Sequence, residues 1–213
     1  MFENNGYKPI WIRFGLSALS AVFFVLLFTT KPAEAANTYC NSCADCQNKI
    51  NLAASGDTVY LTQNIFNYPG DTCVKFLNKN NITFDCDNGA GGKYFINGLG
   101  STNNAIEINN SDNSTIKNCL FSGFNYGAYI GNSDGTYIVN AEFYNNSEGI
   151  LLNNSHSNIF TNIIANYNSD SGIYFQNISS NNIFSSVTTY YNNNYGMYFA
   201  TTGGTNNSFN NIS

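Results

Sequence analysis

A repeat of 22 to 24 residues runs through the second half of the chain and limits what it can fold into. Successive segments begin at Asn109, Gly131, Asn153, Gln176 and Ala200. Each complete segment contains a strand-like piece that ends in Asn or Ser, a second short strand, and a Gly followed by three mostly apolar residues. A fixed period of this length is typical of solenoids, in which each coil packs only against its neighbours. The pattern predicts three strands per coil, in three sheets.

Stacked coils place like residues on like residues, about 4.8 Å apart, so the sequence predicts columns in the core. One apolar column is predicted from Phe76, Ile108, Ile130, Leu152, Phe175 and Phe199. A hydrogen-bonded ladder is predicted from Asn118, Asn140, Asn162, Ser186 and Asn211. A leucine-rich repeat has a similar period but needs several Leu per unit, and most repeats here contain one Leu or none.

The N-terminus has the order of a secretory signal peptide. Lys8 and Arg13 precede an apolar run at residues 16–28, and the small-residue triplet 33–35 follows. The alternative is a membrane anchor, but this run falls short of the roughly 20 residues that span a bilayer. We therefore expect cleavage after Ala35, no stable membrane span in the mature chain, and a secreted, periplasmic or cell-surface location.

All six cysteines follow the predicted cleavage site: Cys40, Cys43, Cys46, Cys73, Cys86 and Cys119. An even number of cysteines in an exported chain favours disulfides, because the compartment is oxidising. The alternative is a zinc or iron–sulfur knuckle, since the first three cysteines are separated by two residues each. A fourth ligand with the usual pairing is absent, so no metal site is predicted.

The remaining segments complete the domain organisation. Residues 36–56 read as a cysteine-containing N-terminal cap, with a short helix at 44–53 that covers the open end of the first coil. Residues 57–213 read as the solenoid, from which the Gly-rich stretch 89–100 protrudes as a loop. Because the chain stops one strand into a new coil, a further chain or subunit is expected at that end.

Together the repeats, the CxxC spacing and the stretches GDTVYL (56–61), TCVKF (72–76) and ITFDC (82–86) resemble the right-handed parallel β-helix family. NosD-like and carbohydrate-binding or sugar-hydrolase members are the most similar. The resemblance implies an all-β, single-stranded, right-handed parallel β-helix, here of about six coils. It also implies a bridge between neighbouring coils, either Cys73 with Cys86 or Cys86 with Cys119.

A column of ionisable residues is predicted along one turn edge. Asp112, Asp134 and His156 occupy equivalent repeat positions, followed by Ser180 and Thr205. Two carboxylates about 5 Å apart suit a retaining glycosidase pair or a shared calcium ion, with His156 as a base or ligand. The alternative is that these residues form Asx turns and bond their own backbone.

An exposed strip is predicted on the outer face of the Gly-x-x-x strands. Side-chain alternation places Tyr129, Leu151, Tyr174 and Tyr198 outside, continued by Lys75 and Glu107 as a cross-strand ion pair. Stacked aromatic rings with Asn and Ser at the rim can bind sugar rings and their hydroxyls. The alternative is that Tyr and Leu merely suit a pleated surface.

Three further acids are candidates for a functional role. Glu148 and Asp170 precede the Gly of successive coils, although their offsets differ by one, and Asp85 lies beside Cys86. The NosD resemblance implies copper, but the mature chain offers only His156 and Met197 as soft ligands besides its cysteines, so copper is not expected.

Charge and composition argue against several classes of function. The formal net charge is −5 and no Arg follows Arg13, so nucleic-acid partners and the Arg-dependent cleavage of anionic polysaccharides are not expected. The sequence therefore predicts an exported protein that binds a polysaccharide or cell-surface glycan through the tyrosine strip. The alternatives are a glycan-processing enzyme that uses the Asp112 column, and a structural spacer in a larger adhesin.

Overall fold

The computed structural model describes residues 34–100, 103–200 and 204–213. The predicted signal peptide lies outside the described residues, except for its last two positions. The elements in chain order are β1 (Asn37–Cys40), α1 (Cys43–Leu52), β2 (Thr58–Leu61), β3 (Ile65–Tyr68), β4 (Val74–Leu77), β5 (Thr83–Asp85), β6 (Tyr94–Gly98), β7 (Asn104–Asn109), β8 (Thr115–Lys117), β9 (Cys119–Ser122), β10 (Tyr126–Gly131), β11 (Tyr137–Tyr144), β12 (Glu148–Asn153), β13 (Ile159–Asn166), β14 (Ser171–Gln176), β15 (Ile183–Thr188), β16 (Tyr195–Phe199) and β17 (Ser208–Ile212).

The strands form a parallel β-solenoid of about seven turns, one more than the repeats suggest because the first coils are irregular. The first sheet follows the order β1-β2-β5-β8-β11-β13-β15-β17, with β3, β6 and β9 joined to it through β11. The second sheet follows the order β16-β14-β12-β10-β7-β4. Two sheets form where the sequence predicts three, because β11 runs through a bend and pairs with both β8 and β9.

That bend is made by the predicted Asn ladder. Asn118, Asn140, Asn162, Ser186 and Asn211 all have a φ between 52° and 58°. Asn tolerates this left-handed conformation better than most side chains, because its short amide bonds locally. The Asn140 amide donates to the Asn118 carbonyl oxygen at 2.9 Å, and the Asn162 amide donates to Asn140 at 2.9 Å. The ladder begins at Asp85, whose carboxylate accepts from the Asn118 amide at 2.9 Å.

The apolar column is confirmed by strand register and burial. Phe76, Ile108, Ile130, Leu152 and Phe175 lie in register in the second sheet and are fully buried. Phe199 continues the column at 4.2 Å between ring centroids from Phe175, but it is 42% exposed because β16 is the last strand of its sheet.

A column of glycines lies at the second position of successive strands in the second sheet. A Cβ on Gly127 would lie 2.6 Å from the carbonyl oxygen of Gly149, and one on Gly149 would lie 2.5 Å from that of Gly172. The same close approach recurs between Gly172 and Gly196 at 2.6 Å. Adjacent coils therefore touch through bare backbone here, which explains why every complete repeat carries a Gly at this position.

The predicted short helix is confirmed at Cys43–Leu52, and all six cysteines are paired. Helix α1 begins after Ser42, whose hydroxyl accepts from the Asp45 backbone N–H at 3.2 Å. The disulfides join Cys40 to Cys46, Cys43 to Cys73, and Cys86 to Cys119. The metal-knuckle alternative is therefore wrong. Of the two bridges implied by the resemblance, the one between Cys86 and Cys119 forms.

The prediction of one protruding Gly-rich loop at 89–100 is wrong in part. Residues 94–98 are strand β6, which pairs with β3 and β9 inside the first sheet. The exposed part before it is a short hairpin-like excursion, closed by an isolated antiparallel bridge between Asp87 and Lys93. Gly residues at 89 and 91 adopt positive φ in this excursion, which explains the Gly-rich composition.

Candidate functional site

The predicted strip is a real column on the second sheet. The strand register pairs Tyr129 with Leu151, Leu151 with Tyr174, and Tyr174 with Tyr198. The Tyr174 and Tyr198 rings are 5.2 Å apart between centroids. We call this column and the two tyrosines beside it, Tyr126 and Tyr195, the tyrosine strip. Its members are Tyr126, Tyr129, Tyr174, Tyr195 and Tyr198.

Leu151 does not belong to the exposed part of the strip. It is only 2% exposed and yet lies outside the main core cluster, so it is covered on the outer face of the sheet. Leu is shorter than the Tyr residues that precede and follow it in the column, which allows these longer side chains to shield it from solvent. The prediction of an exposed Leu151 is therefore wrong.

Two further tyrosines widen the strip, and sequence reasoning missed both. Tyr126 lies three residues before Tyr129, with ring centroids 6.0 Å apart, and Tyr195 lies three residues before Tyr198, with stacked rings 4.8 Å apart. Strict alternation would place residues three apart on opposite faces. The alternation is broken at the Gly column: Gly127 and Ala128 are both buried, and Tyr126 and Tyr129 on either side of them are both half-exposed.

Glu148 occupies the same register position as Tyr126 in the next coil. Its carboxyl is largely buried, and this burial raises its pKa above the ordinary value; the charge of Asp170 raises the pKa further. Burial likewise raises the pKa of the Tyr126 phenol, with a contribution from the Glu148 charge. Asp170 aligns with Glu148, because its backbone N–H donates to the Ser147 carbonyl oxygen at 2.9 Å, as the Glu148 N–H donates to the Asn125 carbonyl oxygen one coil earlier. Because Ile173 aligns with Ile150, Ser171 is an extra residue in its coil, and this explains the offset of one seen in the sequence.

The Asp112 column also forms, and it is built into the scaffold. The Asp112 carboxylate accepts from the Asp134 backbone N–H at 2.9 Å, and the Asp134 carboxylate accepts from that of His156 at 2.7 Å. His156 Nδ1 then accepts from the Ser180 N–H at 3.2 Å. Each side chain therefore bonds the next coil rather than its own turn, which corrects the local Asx-turn alternative. The catalytic role of these residues stays a prediction.

Two smaller predictions need correction. Lys75 and Glu107 are in register, as predicted. The Lys75 ammonium does not pair with Glu107 but with Asp71, which lies four residues earlier in the segment before β4, at 3.4 Å. Asp85 is buried and fully engaged, by Lys117 at 3.1 Å and by the Asn ladder. Asp85 therefore anchors the ladder and offers no exposed acid.

Comparison with known proteins places the chain in a family. Residues 95–213 match the family model described as the right-handed beta helix region. The chain belongs to the right-handed β-helix family. The solenoid of this β-helix protein is therefore right-handed, as the resemblance in sequence implies. Comparison with curated proteins finds no match.

Several solved structures are similar to this β-helix protein. An alginate lyase from Paenibacillus sp. str. FPU-7 is 11% identical, with a TM-score of 0.46, and the match covers 72% of this chain and 66% of that chain. Geobacillus virus E2 ORF18 is 17% identical, with a TM-score of 0.52 and coverage of 79% and 44%. The catalytic domain of a GH87 α-1,3-glucanase in complex with nigerose is 15% identical, with a TM-score of 0.43 and coverage of 85% and 39%. The chain thus spans less than two thirds of each of these chains, and the likeness to Geobacillus virus E2 ORF18 is one of fold alone.

The β-helix carries polar rims beside the strip. At the C-terminal ends of the second-sheet strands, a shallow groove is lined by Asn132, Asn153, Asn154 and Asn177 with Ile178. The Asn153 amide donates to the Tyr129 hydroxyl at 2.9 Å, so this rim holds the first ring of the strip in place. Amides and aromatic rings side by side can bind both faces and edges of a sugar.

No helix within residues 34–100, 103–200 and 204–213 has the length and apolar character of a membrane span. In the same residues, no three or more His, Cys, Asp or Glu side chains converge as metal ligands.

Proposed function

We propose that this protein is an exported β-helix protein that binds a carbohydrate through the tyrosine strip. The observation that carries the proposal is the alignment of Tyr174, Tyr195 and Tyr198 on one outer face, with centroid spacings of 5.2 and 4.8 Å. Tyrosine rings present an apolar face and a polar hydroxyl, which match the faces and hydroxyls of a pyranose ring. Sugar rings stacked along the strip would leave their hydroxyls within reach of the Asn rim.

The environment of the strip supports an uncharged glycan over a polyanionic one. Glu107 is in register with Tyr129, and Glu148 is in register with Tyr126. A polyanionic glycan would bring its carboxylates close to these acids, and like charges repel in such an interface. Lys75, the cation nearest along this column, already pairs with Asp71.

Export is supported by two independent features. The first is the order of charged, apolar and small residues at positions 8–35, which matches a signal peptide. The second is that all six cysteines form disulfides, which persist in oxidising compartments. N-terminal sequencing of the protein recovered outside the cytoplasm of a secreting host should begin at Ala36. A product that retains residues 1–35 would contradict export by cleavage.

A glycan array tests binding, and the chain offers matched controls. The variant Tyr129→Thr/Tyr174→Thr/Tyr198→Thr removes three rings but keeps a good strand former at each position. Tyr137→Thr is the control, since Tyr137 is exposed on the first sheet and Thr115 occupies its register position one coil earlier. We expect the wild-type protein and the control to retain the same glycans and the triple variant to lose them. Equal retention of glycans by all three proteins would mean that the tyrosine strip does not bind glycans and has only a structural role.

A second candidate function is glycan processing through Asp112, Asp134 and His156, because the structure places all three in one continuous column. The variant Asp112→Asn/Asp134→Asn removes both charges and keeps the carbonyl oxygens that accept the backbone N–H groups. New reducing ends released by the wild-type protein and not by this variant would support the enzyme. Cleavage that persists in the variant would rule out these residues, and silence in both assays would favour the spacer.

A further inference from the structure

A second group of tyrosines lies apart from the tyrosine strip, at the corner before the strands of the second sheet. Tyr167, Tyr190 and Tyr191 are 52%, 43% and 70% exposed. The rings of Tyr167 and Tyr191 stack, with centroids 5.2 Å apart and planes 18° apart. Tyr190 packs edge-on against Tyr191 at 4.9 Å. We call these three residues the corner cluster.

The backbone at this corner makes the tyrosines unusual. Tyr167 and Tyr191 have a φ of 56°, in the left-handed region. The equivalent positions in earlier coils hold Gly123 and Asn145, the residue types that suit this conformation. A bulky residue at positive φ is rare and strained. The fold alone would favour Asn or Gly at both positions, so the two exposed rings are not explained by the solenoid.

A groove begins at the corner cluster. It has a volume of about 460 Å³, and Tyr167 forms part of its wall. The polar side chains that line it are Asn125, Asn145, Asn146, Ser147 and Ser169. None of its lining residues carries a charge.

The chemistry of this groove selects among ligand classes. Without Lys or Arg in the lining, a phosphate or carboxylate group would find no counter-charge. The Asn146 amide already bonds the backbone of Phe121 and Phe124, but an apolar peptide or lipid would cover the Asn145 and Ser169 side chains without bonding them, which is unfavourable. An uncharged sugar satisfies both features, because its ring stacks on tyrosine and its hydroxyls bond to amides.

We propose that the corner cluster and its groove form a second carbohydrate-binding site that takes an uncharged sugar. The site uses residues separate from the tyrosine strip. It shares the ligand class of the proposed function, but it can exist whether or not the strip binds. Two sites on one rigid solenoid would hold a polysaccharide more tightly than either alone, because the second contact becomes intramolecular.

The test substitutes Asn, the residue at this position in the coil that precedes Tyr167. Tyr167→Asn/Tyr191→Asn removes both stacked rings and relieves the unusual backbone, so the variant should melt at the same temperature as the wild-type protein or higher. The full chain, processed by a secreting host, is run through native gels that contain hydroxyethylcellulose, mannan, xylan or alginate. Retardation at graded polymer concentrations gives a dissociation constant for each gel.

We expect retardation in at least one neutral gel and none in alginate. The dissociation constant should rise roughly tenfold in Tyr167→Asn/Tyr191→Asn, the effect expected when buried aromatic contacts are lost, and should not change in Tyr137→Thr. Retardation that is equal in the wild-type protein and the Asn variant would overturn the second site. Retardation in alginate as strong as in the neutral gels would overturn its selectivity.

The same gels separate this proposal from the proposed function. If Tyr129→Thr/Tyr174→Thr/Tyr198→Thr loses binding and the corner variant keeps it, the strip binds and the corner site is wrong. If only the corner variant loses binding, the corner site stands and the strip is wrong. If the wild-type protein passes through every gel without retardation, both are wrong.

Discussion

At the scale of single residues, the fold depends on which side chains tolerate the bends and the close approach of coils. The residues of the Asn ladder adopt a left-handed backbone conformation at the bend, and the Gly column allows the backbones of adjacent coils to touch. Both features could be predicted as repeat positions from the sequence. Their physical reason could not, because it lies in the neighbouring coil: the atom nearest to a Cβ on Gly149 belongs to Gly172.

Gly149→Ala should destabilise the protein. The new methyl group would lie 2.5 Å from the Gly172 carbonyl oxygen and 3.1 Å from the Ala165 methyl, so the coils must separate. Overpacking of this kind costs about 1–3 kcal/mol, measurable by urea denaturation. The control is Gly92→Ala, where the nearest atom is the end of the exposed Asn88 side chain. Equal stability of Gly149→Ala and the control would contradict the backbone contact.

Glu148 should make stability depend on pH. Burial first, and the Asp170 charge second, raise the pKa of Glu148 in the folded protein above its value in the unfolded chain. The folded state then holds more protons between the two values, so the free energy of unfolding falls as pH rises through that interval. Glu148→Gln should therefore be more stable than the wild-type protein at about pH 7 and closely similar at about pH 3.5.

The control for this titration is Glu142→Gln. Glu142 pairs with the Lys93 ammonium at 2.7 Å, so its loss should leave stability at neutral pH unchanged or lower. Urea denaturation of the three proteins at both pH values measures the difference. A Glu148→Gln protein that is less stable than wild type at neutral pH would contradict the account of this site.

At the scale of elements, the register of the strands could be predicted from the sequence, but the exposure of their outer side chains could not. The spacing of the repeats correctly aligned the strands of the second sheet, including Tyr129, Leu151, Tyr174 and Tyr198. The sequence could not show that longer neighbours cover Leu151, since this depends on side-chain packing across coils. It also missed Tyr126 and Tyr195, because the Gly column interrupts the two-residue alternation on which the prediction relied.

Two substitutions at Asn140 separate the contribution of the ladder hydrogen bonds to stability from that of the left-handed backbone. Asn140→Gly loses the bonds to Asn118 and Asn162 but keeps an easy left-handed backbone, and should lower the free energy of unfolding by about 1 kcal/mol. Asn140→Ala loses the same bonds and also forces a methyl-bearing residue to a φ of 52°, for about 1 kcal/mol more. Thermal and urea denaturation measure both. An Ala variant as stable as the Gly variant would contradict the role of the bend.

At the scale of the whole molecule, the solenoid is a regular scaffold whose irregular end is held by disulfides. The sequence predicted the parallel solenoid, the cap and the pairing of all six cysteines. It could not decide which cysteines pair, since their partners are set by the folded path of the first coils. The repeat positions specify the fold of the solenoid, whereas the proposed binding surfaces depend on the few positions where a coil departs from its neighbours.

The disulfide between Cys86 and Cys119 should stabilise the early coils. It closes a loop with a sequence separation of 33, and both residues are buried. Cys86→Ala/Cys119→Ala should lower the free energy of unfolding by about 3–4 kcal/mol, because the unfolded chain gains conformational freedom. Thiol titration of the unfolded, unreduced wild-type protein should find no free thiol. Two or more free thiols would contradict the pairing.

The tyrosine strip as a glycan-binding surface is tested most directly by NMR of the tyrosine rings. Ring-labelled protein is titrated with soluble fragments of hydroxyethylcellulose, mannan, xylan and alginate, and each tyrosine signal is assigned by single substitution. The account predicts that at least one neutral glycan shifts the ring signals of Tyr129, Tyr174 and Tyr198, while those of Tyr60 and Tyr137 on the first sheet stay in place. If no glycan shifts the strip signals, or if the only strip shifts come from alginate, the account is contradicted.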